Sequence, residues 1–295
     1  MDYGLKPLGR EKLWLVLMLV PTLIGLVFGA LGSILATLAL SFTHWDLLTP
    51  ITPAGLSNYV ALFKNPSYFK ALTNTFEFSA MYVPGVVIIS MFVAILMDRK
   101  LRGISIFRTI YFLPAVTSAV ATALVWNMIY GKDTGILNYY LSSLGFQTVC
   151  WLCTKNAMVS VVIVNIWGAI GEGMIIFLAG LTAIPSEYYE AASIDGANVL
   201  QIFFGITLPL VTPSIFFQTL ISTINAFQAY DYIYMMTRQG QGDSSIPVVV
   251  FSIYRNAWNF FNYGGASAQA IELAVLVILL MAFYFWLEKR YVVYE

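Results

Sequence analysis

Charged side chains are scarce in this sequence. Asp, Glu, Lys and Arg make up 10% of the 295 residues, whereas hydrophobic residues make up 59%. Soluble globular chains carry about 25% charged residues, so the composition excludes a soluble enzyme and indicates an integral membrane protein. The 15 basic and 15 acidic residues balance, so the net charge gives no indication of a nucleic-acid partner.

Motifs for catalysis and for metal binding are also missing. The sequence has no Gly-x-x-x-x-Gly-Lys-Ser/Thr loop, and its apolar runs contain no His-Glu-x-x-His or Gly-x-Ser-x-Gly motif. We therefore predict no catalytic residue in this chain and no ATP hydrolysis by it. The single histidine, His44, and the two cysteines, Cys150 and Cys153, leave a zinc site without its fourth ligand, and we predict no metal site. The cysteine pair is interpreted as either a local disulfide on the outer side or two free thiols.

Long apolar runs are what the sequence does have. A helix needs roughly 20 residues to cross a hydrocarbon core about 30 Å thick. About six runs are long enough, and they lie at about 13–42, 72–97, 104–129, 157–181, 209–235 and 267–287. Because the runs are apolar all round, they are typical of helices rather than of alternating strands. We predict an all-α integral membrane protein in which residues 13–290 form one transmembrane domain, with short cytoplasmic tails at 1–12 and 291–295.

The basic residues favour one orientation of this bundle. An even number of spans places both termini on the same side, and cytoplasmic loops carry an excess of Lys and Arg. With both termini in the cytoplasm, nine basic residues lie inside: Lys6, Arg10, Lys12, Arg99, Lys100, Arg102, Arg108, Lys289 and Arg290. Six lie outside: Lys64, Lys70, Lys132, Lys155, Arg238 and Arg255. Three long outer segments, about 43–71, 131–156 and 237–266, are rich in aromatic residues and are expected to present a surface to another protein.

The loop between the fourth and fifth runs, about 182–208, contains no Lys or Arg although parity places it in the cytoplasm. We expect Ser186 to cap a short helix whose first turn holds Glu187 and Glu190, where the helix dipole favours carboxylates. The Asp-Gly pair that ends with Gly196 would terminate the helix, because glycine adopts positive backbone angles without steric cost. A short helix with small residues and acidic flanks suits docking into a groove on another protein.

This loop carries a recognisable motif. Glu-Ala-Ala at 190–192 is followed after three residues by Gly196 and after nine more by Ile-Thr-Leu-Pro at 206–209. The pattern resembles the EAA motif of the membrane subunits of binding-protein-dependent ABC importers. Its surroundings are similar to the sugar-permease branch, carbohydrate uptake family 1, which includes maltose and glycerol-phosphate permeases. The resemblance covers about residues 12–290.

The resemblance implies a role for the loop and a set of partners. The loop helix would be a coupling helix that seats on an ATP-binding subunit, with docking roles for Glu190, Ala191, Ala192, Asp195 and Gly196. An ordinary amphipathic surface helix is the alternative. The implied partners are a second homologous permease subunit, two subunits that bind ATP and Mg²⁺, an extracytoplasmic solute-binding protein and a carbohydrate. No cofactor is implied for this chain, and the implied location is the prokaryotic plasma (inner) membrane.

Polar residues inside the predicted spans indicate a cavity or a partner helix, because burying them in hydrocarbon is costly. At about 100° per residue, one stripe of the fifth span collects Gln218, Ser222, Asn225, Gln228 and Tyr232, with Asp231 at its edge. Asn165 and Glu172 share a face of the fourth span. Amides and carboxylates pair with hydroxyls, and aromatic rings cover sugar faces. We interpret seven residues as candidate substrate-binding residues, with helix-to-helix hydrogen bonding as the alternative for each: Asn165, Glu172, Gln218, Asn225, Gln228, Asp231 and Tyr232.

The sequence thus predicts the transmembrane subunit of an ABC importer for a di- or oligosaccharide. Spans four to six contain no basic residue within them, which favours a neutral sugar over a polyol phosphate. A self-contained secondary carrier is the alternative, with Glu172, Asp231 or Glu272 carrying a proton, but no inverted repeat supports it. An intramembrane enzyme is the third possibility, but the predicted spans contain none of the catalytic motifs that it would need.

Overall fold

A computed structural model describes residues 8–98, 102–153, 156–238 and 246–291. Four of the basic residues used to assign sidedness, Lys6, Arg99, Lys100 and Lys155, lie outside these ranges, as do most of the two predicted tails. The chain divides into two compact units. One unit consists of the residues up to Asn65 together with Ile253–Glu272, and the other consists of Pro66–Ser252 and the residues from Leu273 onward.

The described residues are mostly helical. The α-helices are α1 (Leu8–Ile24), α2 (Gly32–Ser41), α3 (Ser57–Lys64), α4 (Pro66–Met97), α5 (Ile104–Phe112), α6 (Ala119–Ile129), α7 (Ile136–Ser143), α8 (Ala157–Ala183), α9 (Ser186–Ile194), α10 (Val199–Ile202), α11 (Leu208–Leu210), α12 (Thr212–Phe227), α13 (Asp231–Arg238), α14 (Val249–Tyr254) and α15 (Tyr263–Tyr291). Shorter helical turns follow some of them: π-helical at Gly25–Leu31, Phe203–Thr207 and Arg255–Asn259, and 3-10 at Leu113–Val116. Two short antiparallel strands pair Thr43 with Pro53 and His44 with Thr52: β1 (Thr43–His44) and β2 (Thr52–Pro53).

The prediction of an all-α membrane protein is confirmed. Within the described ranges, four helical stretches are long and apolar enough to cross a membrane: Trp14–Ser41, Pro66–Met97, Ala157–Ala183 and Tyr263–Arg290. Two further pairs pass the same test together but are bent, by 100° between Ile104–Val116 and Ala119–Ile129 and by 63° between Val199–Leu210 and Thr212–Phe227. By length and composition, the described part of the chain therefore contains four candidate spans, or up to six if each bent pair is one span.

The third predicted span is wrong as a continuous helix. After α5 the chain forms a 3-10 turn that contains Pro114, and Thr117 and Ser118 are extended, with ψ of 151° and 127°. The Thr117 hydroxyl donates to the Pro114 carbonyl oxygen at 2.7 Å. Proline cannot donate a backbone hydrogen bond and its ring disfavours a continuing helix, so the helix changes direction here.

The fifth predicted span, 209–235, is also wrong as one helix. It covers α11, α12 and the first part of α13, and α12 ends at Phe227. Gln228 caps its C-terminus and α13 begins anew at Asp231. The predicted polar stripe is therefore distributed over two helices and the break between them.

The smaller unit is held by polar contacts around the end of α2. The Asn58 side-chain amide donates to the carbonyl oxygens of Ser41 at 2.8 Å and Thr43 at 2.9 Å. The Tyr59 hydroxyl donates to Ser41 Oγ at 2.8 Å, and Tyr263 N donates to the Trp45 carbonyl oxygen at 3.0 Å. These bonds join α3 and the start of α15 to the short hairpin of β1 and β2.

In the larger unit α4 packs along α8 and α12, and two buried apolar clusters lie along these contacts. One contains Phe78, Val86 and Val161, and the other contains Met174 and Phe177. Glycines let the helices approach closely, as is common between membrane helices. A Cβ atom at Gly171 in α8 would stand 2.6 Å from the carbonyl oxygen of Tyr111 and 2.7 Å from the Cα of Phe112, at the end of α5.

This close approach predicts an asymmetry between two glycines of the larger unit. Gly171→Ala should destabilise the protein by about 1–3 kcal/mol, because backbone atoms of α5 must move to admit the methyl group. Gly205→Ala should be neutral or slightly stabilising, because a Cβ atom there meets nothing within 4 Å. Thermal unfolding of the two purified variants in detergent measures the difference; equal melting temperatures would contradict the packing of α5 on α8.

Candidate functional site

We call residues 186–209, which carry the predicted loop helix and its motif, the EAA segment. Its first part is α9, and the predicted cap at Ser186 is wrong: Pro185 occupies the N-cap position, Ser186 is already helical, and no side chain caps the N-terminus. The predicted end is correct, since Gly196 has a φ of 78°. Gly196 N donates to the Ser193 carbonyl oxygen at 3.2 Å and Ala197 N donates to that of Ala192 at 2.9 Å.

A second helix start in the EAA segment was missed by the sequence analysis. Asn198 Oδ1 accepts from Gln201 N at 3.0 Å, while Gln201 Oε1 accepts from Asn198 N at 2.8 Å. This reciprocal pair is a capping box, and Asn-x-x-Gln is the signal that could have revealed it. It starts α10 two residues after the turn at Gly196, so the segment is a helix, a turn and a helix.

The EAA segment is largely exposed. Glu190, Ala191, Asp195 and Gly196 are exposed, and Ala192 is half-buried. Large apolar side chains beside them are also exposed: Ile194 by 86%, Val199 by 82%, Leu200 by 68% and Phe204 by 63%. Apolar side chains gathered on an exposed surface with acidic neighbours are typical of a protein interaction site. The hydroxyls of Tyr189 and Thr207, 3.3 Å apart, link the two ends of the segment.

The polar stripe is distributed between two environments. Asn225, Gln228 and Asp231 are exposed and Tyr232 is half-buried. Gln218 and Ser222, by contrast, are only 3% and 1% exposed. The common face expected for these residues is therefore not observed, because α12 ends before Gln228 and its first half packs against other helices.

The break between α12 and α13 places polar groups at the depth of a predicted span. The last turns of α12 close through Gln228 N, which donates to the Ile224 carbonyl oxygen at 3.1 Å, and through Ala229 N, which donates to that of Ala226 at 3.3 Å. The bond from Tyr234 N to the Tyr230 carbonyl oxygen at 2.7 Å already belongs to α13. Irregular backbone at membrane depth occurs where it is buried in protein or lines a water-filled cavity. Gln228 and Asp231 on either side of the break are exposed in this chain, so at membrane depth they would face a partner chain or a water-filled cavity.

The structure brings part of α8 to this break. A Cβ atom at Gly168 would stand 3.1 Å from the Tyr232 hydroxyl, so α13 packs on the face of α8 that carries Asn165 one turn earlier. Asn165 is half-buried and its side-chain nitrogen donates to the Val161 carbonyl oxygen at 2.9 Å. Glu172, one turn later, is exposed between two buried glycines.

In the segment 131–156, the structure decides between the two interpretations of the cysteine pair. Cys150 and Cys153 form a disulfide, and the side chain of Asn138 ties the neighbouring chain together. Asn138 Nδ2 donates to the carbonyl oxygens of Gly131, Lys132 and Val149, and its Oδ1 accepts from Val149 N and Trp151 Nε1, all at 2.8–3.2 Å. Between this segment, α6 and α13 lies a cavity of about 470 Å³. In the described part of the chain, His, Cys, Asp and Glu side chains form no group of three that could hold a metal ion.

The protein is a multi-pass membrane protein of the transport class. Its apolar helices, the breaks with polar side chains and the exposed EAA segment are typical of that class. The chain belongs to the family of binding-protein-dependent transport system inner membrane components, whose model matches residues 51–293. The predicted resemblance, which rested on the EAA motif, is confirmed. The chain is thus a permease subunit and not an enzyme, and the family implies ATP-hydrolysing and solute-binding partners.

Relatives and solved structures agree with this assignment. The chain is 36% identical over 281 residues to the probable ABC transporter permease protein YesP of Bacillus subtilis (strain 168), covering 93% of this chain and 90% of that protein. It is 31% identical to the trehalose/maltose transport system permease protein MalF of Thermococcus litoralis, covering 91% of each. A chain of a bacterial alginate ABC transporter, 24% identical, superposes with a TM-score of 0.82 over 95% of this chain and 96% of that one, and shows the same fold.

Proposed function

We propose that this permease subunit moves a neutral di- or oligosaccharide, driven by ATP and Mg²⁺ bound on two partner subunits, beside a second homologous permease and below an extracytoplasmic solute-binding protein. The names of two relatives support a carbohydrate, since they are transport proteins for trehalose and maltose and for arabinooligosaccharides. A third relative is named for sn-glycerol-3-phosphate, a polyol phosphate. The absence of Lys and Arg from α8, α11 and α12 favours a neutral sugar among these.

The observation that carries the proposal is the exposed helix, turn and helix of the EAA segment. Glu190, Ala191, Ala192, Asp195 and Gly196 would dock on an ATP-binding subunit, with Ile194, Val199 and Leu200 filling its groove. When that subunit closes on ATP, it would displace the docked segment. The conformational equilibrium of the attached helices would then shift between two states that differ in the side from which the sugar site is reached.

The disulfide supports the proposed sidedness. Disulfides persist in oxidising compartments and are rare in the cytosol, so the bond between Cys150 and Cys153 favours an outer position for this segment. The 27 residues of α8, about 40 Å at 1.5 Å per residue, begin just after the disulfide and end just before the EAA segment. One crossing would then separate them, which supports a cytoplasmic position for the EAA segment and, with an even number of spans, for both termini.

The sugar path is proposed along the break between α12 and α13 and the adjoining face of α8. Asn165, Asn225, Gln228 and Asp231 would pair with sugar hydroxyls, and the Tyr232 ring would cover an apolar sugar face. Glu172, exposed on the same helix as Asn165, is included in the path. Gln218 is not, because it is buried between helices.

Gly196 offers a test of the coupling role. Gly196→Val forces a β-branched residue into the left-handed region, at a cost of roughly 1–2 kcal/mol, and should abolish ATP-driven uptake while the loaded solute-binding protein still docks. Gly196→Asn is the matched control, because asparagine tolerates this conformation, and should retain most uptake. Both are measured in proteoliposomes containing the complete transporter.

Two outcomes would contradict the proposed function. Normal stimulation of ATP hydrolysis by the loaded binding protein in Gly196→Val would remove the coupling role. Uptake that persists after the ATP-binding subunits are omitted would identify a secondary carrier instead.

Asn225 and Gln228 test the sugar path. Asn225→Leu or Gln228→Leu should each raise the substrate concentration for half-maximal uptake by roughly tenfold, the effect of losing about one hydrogen bond to a desolvated ligand. The control is Phe217→Leu, at an exposed apolar position of α12, which should leave that concentration unchanged. Uptake measured against sugar concentration decides the question, and unchanged values in both amide variants would reject the path.

A further inference from the structure

Three helices of the larger unit meet in a buried polar contact around Gly173. Ser90 of α4 is 0% exposed, and Ser222 and Gln218 of α12 are 1% and 3% exposed. A Cβ atom at Gly173 of α8 would stand 2.5 Å from Ser90 Oγ and 3.2 Å from Gln218 Nε2. The missing side chain of Gly173 thus lets Ser90 and Gln218 approach the same point. We call Ser90, Gln218 and Ser222 the polar cluster.

The hydrogen bonds of the polar cluster are incomplete. Gln218 Nε2 donates to Ser222 Oγ at 3.0 Å, one turn along the same helix. Ser90 Oγ and Gln218 Oε1 are buried and have no hydrogen-bond partner. A buried polar group without a partner is unfavourable and uncommon in folded proteins, and here a donor and an acceptor on neighbouring helices are both left over.

The threonine hydroxyls of these two helices are satisfied in another way. Hydroxyl groups of α4 and α12 bond back to carbonyl oxygens four residues earlier, at 2.7–2.9 Å: Thr73 to Phe69, Thr75 to Ala71, Thr219 to Ile215 and Thr223 to Thr219. Such back-bonding satisfies a hydroxyl within its own helix. Ser90 makes no such bond, so its donor remains available to a group outside α4.

We propose that the polar cluster is a hydrogen-bond latch between α4 and α12 with two alternative pairings. In the conformation described here, the Gln218 amide pairs with Ser222 inside α12. In a second conformation, Ser90 donates to Gln218 Oε1 and the bond to Ser222 is broken. It is the Nε2 side of the Gln218 amide that lies near Gly173 and Ser90, so the amide must turn to present Oε1 to Ser90, and that turn takes Nε2 away from Ser222. Gly173 leaves the space for it.

The latch rests on the proposed function, because it acts only if α4 and α12 move against each other during transport. It would set the ratio of two conformations of the permease rather than bind sugar. That role accounts for the burial of Gln218 and Ser222, which a sugar-contacting role does not.

Two single substitutions test the latch, because they should act in opposite directions. Ser90→Ala removes a bond that exists only in the second conformation, whereas Ser222→Ala removes the bond that holds Gln218 in the first. One hydrogen bond corresponds to about a fivefold change in the ratio of the two states. Basal ATP hydrolysis by the complete transporter in nanodiscs should therefore change about fivefold, up in one variant and down in the other.

Two further variants complete the experiment. Gln218→Leu removes both pairings, so adding Ser90→Ala to it should have no further effect. Thr219→Val, which loses a hydroxyl bonded within its own helix, is the matched control and should change hydrolysis less than twofold. A role in packing alone would instead shift Ser90→Ala and Ser222→Ala in the same direction, or shift neither, and either result overturns the latch.

The wild-type complex separates the two levels of the proposal. If the loaded solute-binding protein stimulates ATP hydrolysis by the wild type, the proposed function stands and the variants decide the latch alone. A wild type without that response overturns the proposed function, and the latch with it.

Discussion

The hydrocarbon core of a membrane supplies no hydrogen-bond partner, so each backbone group of this chain must find one inside the protein. That constraint explains why the described residues are mostly helical. It also means that, wherever a helix stops inside a span, the free backbone groups need another hydrogen-bond partner. At Thr117 and Ser118 the turn around Pro114 closes through the Thr117 hydroxyl. Between Gln228 and Asp231 the chain restarts with polar side chains exposed on both sides. The first break is satisfied by a side chain, whereas the second leaves polar side chains that a partner chain or a water-filled cavity would have to accommodate.

Much of the fold could be predicted because the same constraint determines the amino-acid composition of the spans. A bilayer requires long apolar runs, and such runs can be counted directly. The bends could not be predicted with the same ease, since residues 104–129 are apolar on both sides of the bend and Pro114 alone signals it. The break at Gln228 carries no Pro or Gly, so an uninterrupted period of 3.6 residues was the natural expectation.

In the candidate site too, features set by the local sequence could be predicted and features set by packing between helices could not. Local chemistry fixes the turn at Gly196, so it could be predicted, and the capping box of Asn198 was equally readable. The burial of Gln218 could not be predicted. A helical stripe shows which residues share a face of the helix, but it does not show whether that face packs against another helix or lines a cavity. Whether Cys150 and Cys153 pair was left open because a spacing of three residues fits both thiols and a disulfide; the structure resolves it.

Asn138 gives the outer segment its shape in place of regular structure. Its amide forms hydrogen bonds with Gly131, Lys132, Val149 and Trp151. These bonds hold two stretches of chain together, as backbone hydrogen bonds do between two paired strands. An amide both donates and accepts, so neither aspartate nor leucine can replace it. One side chain therefore closes this stretch on itself, and losing the Asn138 amide would release the chain on both sides of α7 at once.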